Sequence, residues 1–472
     1  MPTLDRFDAI VVGAGTAGCV AAGTLSRAGL AVALLDAGPG LPLPPSLRSL
    51  DGAEALTEVD RFRPGLRART GTGIEVAYRS GWGVGGGSAV NTMVATPGDP
   101  ADYDRWSAMG CPDWSWDGVA PHLERVTGRH RLVDAEPGPL AEAVGAAAAD
   151  AGFALGARSG QPGAVGFLPA TLHADGTAPS SRRWSVVEAE LDGAGPALSV
   201  LARHPVHRVV TAGGRVRGVE LAAGAAVLRA DLVVVAAGAA DTPLLLRRSG
   251  LAGVDVGRAI EDHPSFVFTV ALAPAARQPV GVAVPAVSAV LRWGSPGEGG
   301  NDLLALIMDH VGVGEEGRRY GAVIVTVTDV EGRGRLDGSN AADLRFEPGW
   351  LDHPGDRRRM RRAVSTVAAL LERVMAAGVA EAVLVDDRGT PAADLSGWSD
   401  DELDRWLVGH PGPISHLGAT CRLGGGTLDQ WGAVVGVDGV HVVDASVLPH
   451  LPNANPNLPI LVVADRLAAR LT

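Results

Sequence analysis

Phe7-Asp8-Ala9-Ile10-Val11-Val12-Gly13-Ala14-Gly15-Thr16-Ala17-Gly18 is the stretch whose reading decides the fold. Residues 7–12 have the apolar density of a buried strand, and a helical run occupies 19–28. Strand, glycine turn and helix in immediate succession make a dinucleotide site. Gly13 permits the tight turn, Gly15 lets backbone approach a pyrophosphate, and Gly18 lets the helix pack close to the strand. Thr16 and Ala17 complete the turn, and the helix N-terminus presents free N–H groups and a positive dipole end to the phosphates. A second apolar strand, 31–35, ends at Asp36-Ala37. A carboxylate there can accept bonds from ribose hydroxyls and argues against a 2′-phosphate. The turn itself leaves FAD and NAD both open.

A chain of 472 residues exceeds one ordinary core, so two domains are expected. A net charge of −12 disfavours nucleic acid or an anionic membrane surface as a partner. All 41 basic residues are arginine, which excludes lysine Schiff-base chemistry and a Walker-type phosphate lysine. Cys19, Cys111 and Cys421 are too few and too scattered for a disulfide framework or a structural zinc site. No apolar run reaches transmembrane length, and a strand beginning at residue 7 leaves no room for a signal peptide. The expectation is a cytoplasmic protein with no integral membrane segment.

Beyond the opening, residues 41–80 read as loops with short pieces of structure, and Gly81 to Asn91 as an ordered glycine loop able to approach a flat or charged ligand. Residues 113–117 open a helix capped by Ser115 or Asp117. Short strands are predicted at 198–201, 206–211, 216–221 and 226–229. A buried strand at 231–237 runs through Ala237 into Gly238 and a helix, a second strand-to-helix glycine turn where backbone can meet a cofactor. Strands follow at 266–272, 287–293, 303–308 and 321–328, then an amphipathic helix at 357–377. This pattern predicts an α/β protein: a Rossmann-like nucleotide-binding domain with an inserted α+β substrate domain built on an antiparallel sheet. The nucleotide domain takes residues 1–125, 191–263 and 409–472. The substrate domain takes 264–408, with 126–190 as substrate-domain and connecting chain.

The tail carries the chemistry. It holds His416-Leu417-Gly418-Ala419-Thr420-Cys421-Arg422-Leu423-Gly424, then Val443-Asp444-Ala445-Ser446, then Asn455-Pro456-Asn457 before a last helix at 459–471. A histidine and an asparagine in Gly- and Pro-rich loops suggest a base and its hydrogen-bonding partner. His410 is the rival base and reads instead as part of the return to the first domain; His263 reads as structural. No His, Cys, Asp or Glu cluster shows zinc-site spacing, so no metal is expected.

Taken together, these segments resemble the glucose–methanol–choline (GMC) oxidoreductases. The resemblance rests on the glycine turn, the glycine loop before Asn91, the 113–123 segment, Gly238 to Ala252, Gly257 to His263 and the motif from His416, and it covers nearly the whole chain. It implies an FAD-binding domain in which Gly13, Gly15 and Gly18 hold the pyrophosphate and Asp36 the adenosine ribose. Val206 would meet adenine through its backbone. Gly86, Ser88 and Asn91 would lie along the flavin, and Asp444, Ala445, Pro456 and Asn457 near the pyrophosphate and isoalloxazine edge. His416 would be the catalytic base and Asn455 its partner. Members that attach FAD covalently use a histidine where this chain has Val90, so FAD is expected to be non-covalent. The compact form is similar to dehydrogenases associated with the peptide-derived redox cofactor mycofactocin. The implied activity is oxidation of a small-molecule alcohol to an aldehyde or ketone, with electrons passing to oxygen, a quinone or another carrier. Reoxidation of a reduced peptide-derived cofactor and a non-redox flavin lyase such as hydroxynitrile lyase are the alternatives.

Overall fold

The structure, a computed structural model, describes residues 6–222, 226–295, 300–336, 338 and 344–472. A five-stranded sheet runs in the order Val440–Val442, Leu232–Val235, Ala9–Val12, Val32–Leu35, Leu198–Leu201. Every neighbouring pair is parallel. The strands at Ala9–Val12 and Val32–Leu35 are buried at every position, as a sheet covered on both faces requires. The helices Thr16–Arg27 and Asn457–Ala468 pack on each other, and Trp116–Arg129 packs on the latter. The strand nearest the C-terminus therefore closes a sheet begun at residue 9, and the last helix lies beside the first.

A second sheet has six strands in the order Ala380–Leu384, Ser265–Leu272, Tyr320–Val327, Leu303–Met308, Val287–Trp293, Gly166–Pro169. All of its pairings are antiparallel. The helices Pro139–Asp150 and Pro354–Ala376 pack against each other and share an apolar core with this sheet. Phe268, Ile307, Val325 and Met360 are among its most buried members.

Local boundaries differ from expectation in ways that have causes. The first helix begins at Thr16, not residue 19, because Gly18 lies directly against the turn: a Cβ there would fall 1.8 Å from the Gly13 carbonyl oxygen. Part of the glycine loop winds into a short helix, Gly86–Val90, after Gly85 takes a left-handed φ of 95°. The Ser88 hydroxyl donates back to the Gly85 carbonyl at 2.8 Å. Within 41–80, Leu66–Arg69 and Glu75–Ala77 form strands that pair with each other, and Leu66–Arg69 also pairs with Leu344–Phe346. Ser115 occupies the N-cap of Trp116–Arg129 but makes no side-chain cap bond. The last helix starts at Asn457, with Pro459 inside its first turn, where a missing N–H costs nothing.

Gly18→Ala is expected to destabilise the protein by at least about 1–3 kcal/mol, as forced overpacking does. A lower midpoint in chemical denaturation of the FAD-loaded protein would show it; an unchanged midpoint would contradict the packing described.

Candidate active site

The sequence-predicted nucleotide residues gather at the carboxyl ends of the parallel strands, the place where open α/β sheets hold ligands. Gly13 follows Val12, Asp36 follows Leu35, Ala237 and Gly238 follow Val235, and Asp444 and Ala445 follow Val442. Gly13 has φ of 106°, and a Cβ there would meet the Ala236 carbonyl oxygen at 2.2 Å. Gly15 differs: a Cβ would meet only the Gly86 Cα, at 3.9 Å, so the protein leaves that space open. The first helix and the last helix begin side by side. The Thr16 hydroxyl donates to the Asn457 side-chain oxygen at 3.2 Å. Neither N-cap, Gly15 or Pro456, offers a side-chain cap bond, so both sets of leading N–H groups remain for an anion. Ala17 lies in the first turn and is buried.

At the far end of this cradle Asp36 accepts N–H bonds from Ala14 and Gly38, both at 2.7 Å. Burial raises its pKa, and those two bonds and Arg61 oppose the rise. The His204 N–H donates to the Asp36 carbonyl, which brings the start of the Val206–Ala212 strand close by. Asp444 is nearly enclosed. Its carboxylate takes bonds from the Gly238 N–H at 2.8 Å, the Thr242 hydroxyl at 2.6 Å and the Ser446 N–H at 2.8 Å. Within the protein this side chain pins the second glycine turn to the tail.

Asn91 and Ser88 are held from behind by Arg183. Its guanidinium donates to the Asn91 side-chain oxygen at 2.8 Å and to the Ser88 carbonyl at 3.2 Å. Arg183 is 1% exposed, and burial pulls its pKa down to about 10. Ser88, Asn91 and Asn457 line a small pocket together with His130, His173 and Trp184. None of these last three showed in the sequence as a site residue, because each comes from a segment without a motif of its own.

His416 is partly accessible yet densely surrounded. Its backbone N–H donates to Asp262 at 2.9 Å, and the next N–H, from Leu417, donates to the Tyr78 hydroxyl at 2.8 Å. The Tyr78 hydroxyl in turn bonds the Asp262 carboxyl, whose pKa burial pushes up to about 7. The His416 ring meets His263 edge to face, with the two Nδ1 atoms 3.0 Å apart. Burial and the neighbouring His263 hold the His416 pKa well below the ordinary histidine value, and burial takes His263 down to about 3. Both rings are therefore neutral near pH 7, and one is the donor to the other. His263, expected to be structural, touches the ring of the candidate base. His410 instead stacks on Trp406 at 4.4 Å and bonds its carbonyl, at the end of helix Asp400–Gly409.

The His416 loop runs along the Asp444 segment. Ala419, Cys421 and Leu423 donate their N–H groups to the carbonyls of Ala445, Ser446 and Val447. The same segment continues to Asn455, which is buried and whose side-chain oxygen has no protein partner. Its loop is fixed two residues earlier: Asn453 donates its N–H to Asp102 at 3.0 Å, and its carbonyl accepts from Arg292 at 2.7 Å. An open space at Gly15, two uncapped helix N-termini and an orphaned amide oxygen at Asn455 all fit a bound dinucleotide and its substrate. Among the described residues, Glu331, His353 and Asp356 bring ligand-type atoms within 4.8 Å of one another. Asp356 is already engaged by two backbone N–H groups and Arg359, and His353 by the Gly355 N–H.

Comparison with known proteins agrees with this geometry. The family signatures described as GMC oxidoreductase match residues 7–265 and 329–464. The chain is 27% identical to 5-(hydroxymethyl)furfural oxidase of Methylovorus sp. (strain MP688), covering 98% of each. It is 26% identical to the oxygen-dependent choline dehydrogenase of Burkholderia pseudomallei (strain 1710b), over 99% of this chain and 94% of that one. Among solved structures, pyridoxine 4-oxidase from Mesorbium loti superimposes with a TM-score of 0.83 at 24% identity, over 98% of both chains. A formate oxidase gives 0.82 at 18% identity, again over 98% of both. The chain belongs to the GMC oxidoreductase family. It is accordingly an FAD-binding oxidoreductase of alcohol-type substrates. No helix among the described residues is long and apolar enough to cross a membrane.

Gly15→Ala separates cofactor approach from folding. The apoprotein is expected to keep its stability to within about 1 kcal/mol, since the new methyl meets no close neighbour. FAD affinity, measured by fluorescence titration, is expected to fall at least about tenfold; an unaltered affinity would remove Gly15 from the pyrophosphate site.

Proposed function

We propose that the chain oxidises an alcohol to an aldehyde or ketone, with His416 as the base that takes the hydroxyl proton and Asn455 as the group that holds the substrate oxygen. The single observation that supports this most is the His416–His263 pair, two neutral rings that meet through their Nδ1 atoms; Asn455 would donate an amide N–H to the substrate oxygen. Two Nδ1 atoms 3.0 Å apart admit two arrangements. If His263 donates, His416 carries its proton on Nε2 and cannot accept another there. If His416 donates, its Nε2 lone pair is free and the ring can act as a base. Base catalysis requires the second arrangement, with His263 as acceptor and positioning residue. Asp262 and Tyr78 hold the backbone on either side of the bond that sets the ring's height. Flavin, when bound, supplies the hydride acceptor at N5.

FAD is held without a covalent bond in this reading, because the residue before Asn91 is Val90, which has no nucleophile. Acid precipitation should release all the flavin to the supernatant; flavin retained in the pellet would disprove it. Oxygen, a quinone or another carrier are the candidate acceptors. Anaerobic mixing with a panel of alcohols, followed by air, tests donor and acceptor together: bleaching by an alcohol shows oxidation, and rapid recolouring in air shows oxygen use.

His416→Ala is expected to bind FAD normally and slow flavin reduction by about 10²–10⁴-fold, the usual worth of a general base. His263→Asn keeps an acceptor and should retain far more of the rate than His263→Leu. Reduction as fast in His416→Ala as in the wild type would end the assignment.

A further inference from the structure

Three consecutive residues serve three different partners. Asp262 holds the His416 backbone, His263 meets the His416 ring, and Glu261 points the other way, into a buried cluster of charge. Glu261 is fully buried, and its carboxylate accepts from Leu451 N–H at 2.7 Å, from Arg422 at 2.8 Å and from His450 Nδ1 at 3.0 Å. Arg333 approaches to 3.2 Å. The other ring nitrogen of His450, Nε2, lies 3.1 Å from Asp329, which also takes Arg105 at 2.7 Å. His450 is 3% exposed. With a carboxylate on each nitrogen, both ring nitrogens act as donors, which only the imidazolium can do.

These partners come from every part of the catalytic assembly. Glu261 is bridged by backbone bonds in both directions to Gly418, in the His416 loop. Arg422 lies later in the same loop. His450 and Leu451 lead to Asn455, and the His450 carbonyl is itself held by the Trp106 indole N–H at 2.9 Å. Asp329 follows the strand Tyr320–Val327 of the antiparallel sheet, and Arg105 sits on the helix Pro100–Ala108 of the other domain. Nearby His263 is neutral, and Asp102 lies beyond Arg105.

We propose that His450 is a positioning residue: held as an imidazolium between Glu261 and Asp329, it clamps the loops bearing His416 and Asn455 to each other and to the antiparallel-sheet domain. This rests on the reading of His416 and Asn455 as active-site side chains. Breaking a buried, doubly bonded charge leaves two carboxylates facing each other, so loss of the proton should loosen the site. Burial opposes the charge on His450, but Glu261 and Asp329 outweigh it and lift the pKa to about 9. A pKa raised above its unfolded value, 6.5, gives stability that is complete below that value and lost as pH climbs through about 9.

The test compares FAD-loaded wild type, His450→Gln and Asp329→Asn. The wild-type melting midpoint should fall between pH 6.5 and about 9 more steeply than that of His450→Gln. In Asp329→Asn, which removes one of the two anions, the fall should still begin near pH 6.5 but end at a lower pH than in the wild type. With an alcohol that bleaches the wild type, His450→Gln should lose at least about tenfold in limiting reduction rate while substrate affinity changes by less than about threefold, the mark of misplaced reacting groups. Equal pH slopes in wild type and His450→Gln, or a reduction rate within about twofold, would overturn the proposal. If His450→Gln fails to fold, Asp329→Asn decides: an unshifted pH window overturns it. The melting comparison needs no turnover, so a wild type that no alcohol bleaches counts against the reaction and leaves the clamp to stand or fall on the melting data.

Discussion

The candidate active site depends on buried acids, each answered by hydrogen-bond donors. Taking an ion out of water costs several kcal/mol unless partners replace the solvent. Around the two tail loops the chain does this repeatedly. Asp262 takes the His416 N–H and the Tyr78 hydroxyl, Asp102 takes the Asn453 N–H, and Asp444 takes three donors around the second glycine turn. Glu261 collects His450, Arg422 and a backbone N–H. In each case removing one partner strands the other, so the loops have few alternative arrangements. That rigidity suits a reaction in which a base, a hydrogen-bonding amide and a flavin must share one geometry.

The cofactor end works by the opposite means. There the chain removes side chains so that backbone can approach backbone. Gly13 lies against Ala236, Gly18 against Gly13, and Gly86 against Gly15. What remains is a surface of N–H groups from two helices whose first turns are tied by Thr16 and Asn457. One helix comes from the start of the chain and the other from its end. The candidate anion site is thus also where the start and the end of the chain meet.

Much of the fold was legible in the residues. Both strand-to-helix glycine turns, the four central strands of the second sheet and the long amphipathic helix all announced themselves by apolar density or periodicity. The errors fell at helix starts, where packing of a glycine or placement of a proline moves a boundary by two or three residues. The outer strands were not visible. Gly166–Pro169 and Ala380–Leu384 are short, and only pairing with a neighbour makes them strands.

The site divides in the same way. Candidate site residues such as Gly15, Asp36, Asn91, His416 and Asn455 can be nominated from the chain, by local motif and by the family resemblance those motifs carry. Their supports cannot. Tyr78, Arg183, His263 and His450 act across separations of roughly 90 to 340 residues, and nothing in the neighbourhood of each one says whom it will meet. By itself the sequence determined the opening strand, glycine turn and helix and the central strands of the antiparallel sheet, and it nominated His416 and Asn455 as candidates, since these follow from short-range pattern. Only the tertiary structure decided that His263 faces His416 and that His450 sits charged between two acids, because burial and long-range approach set protonation and orientation, and neither is a property of a local segment.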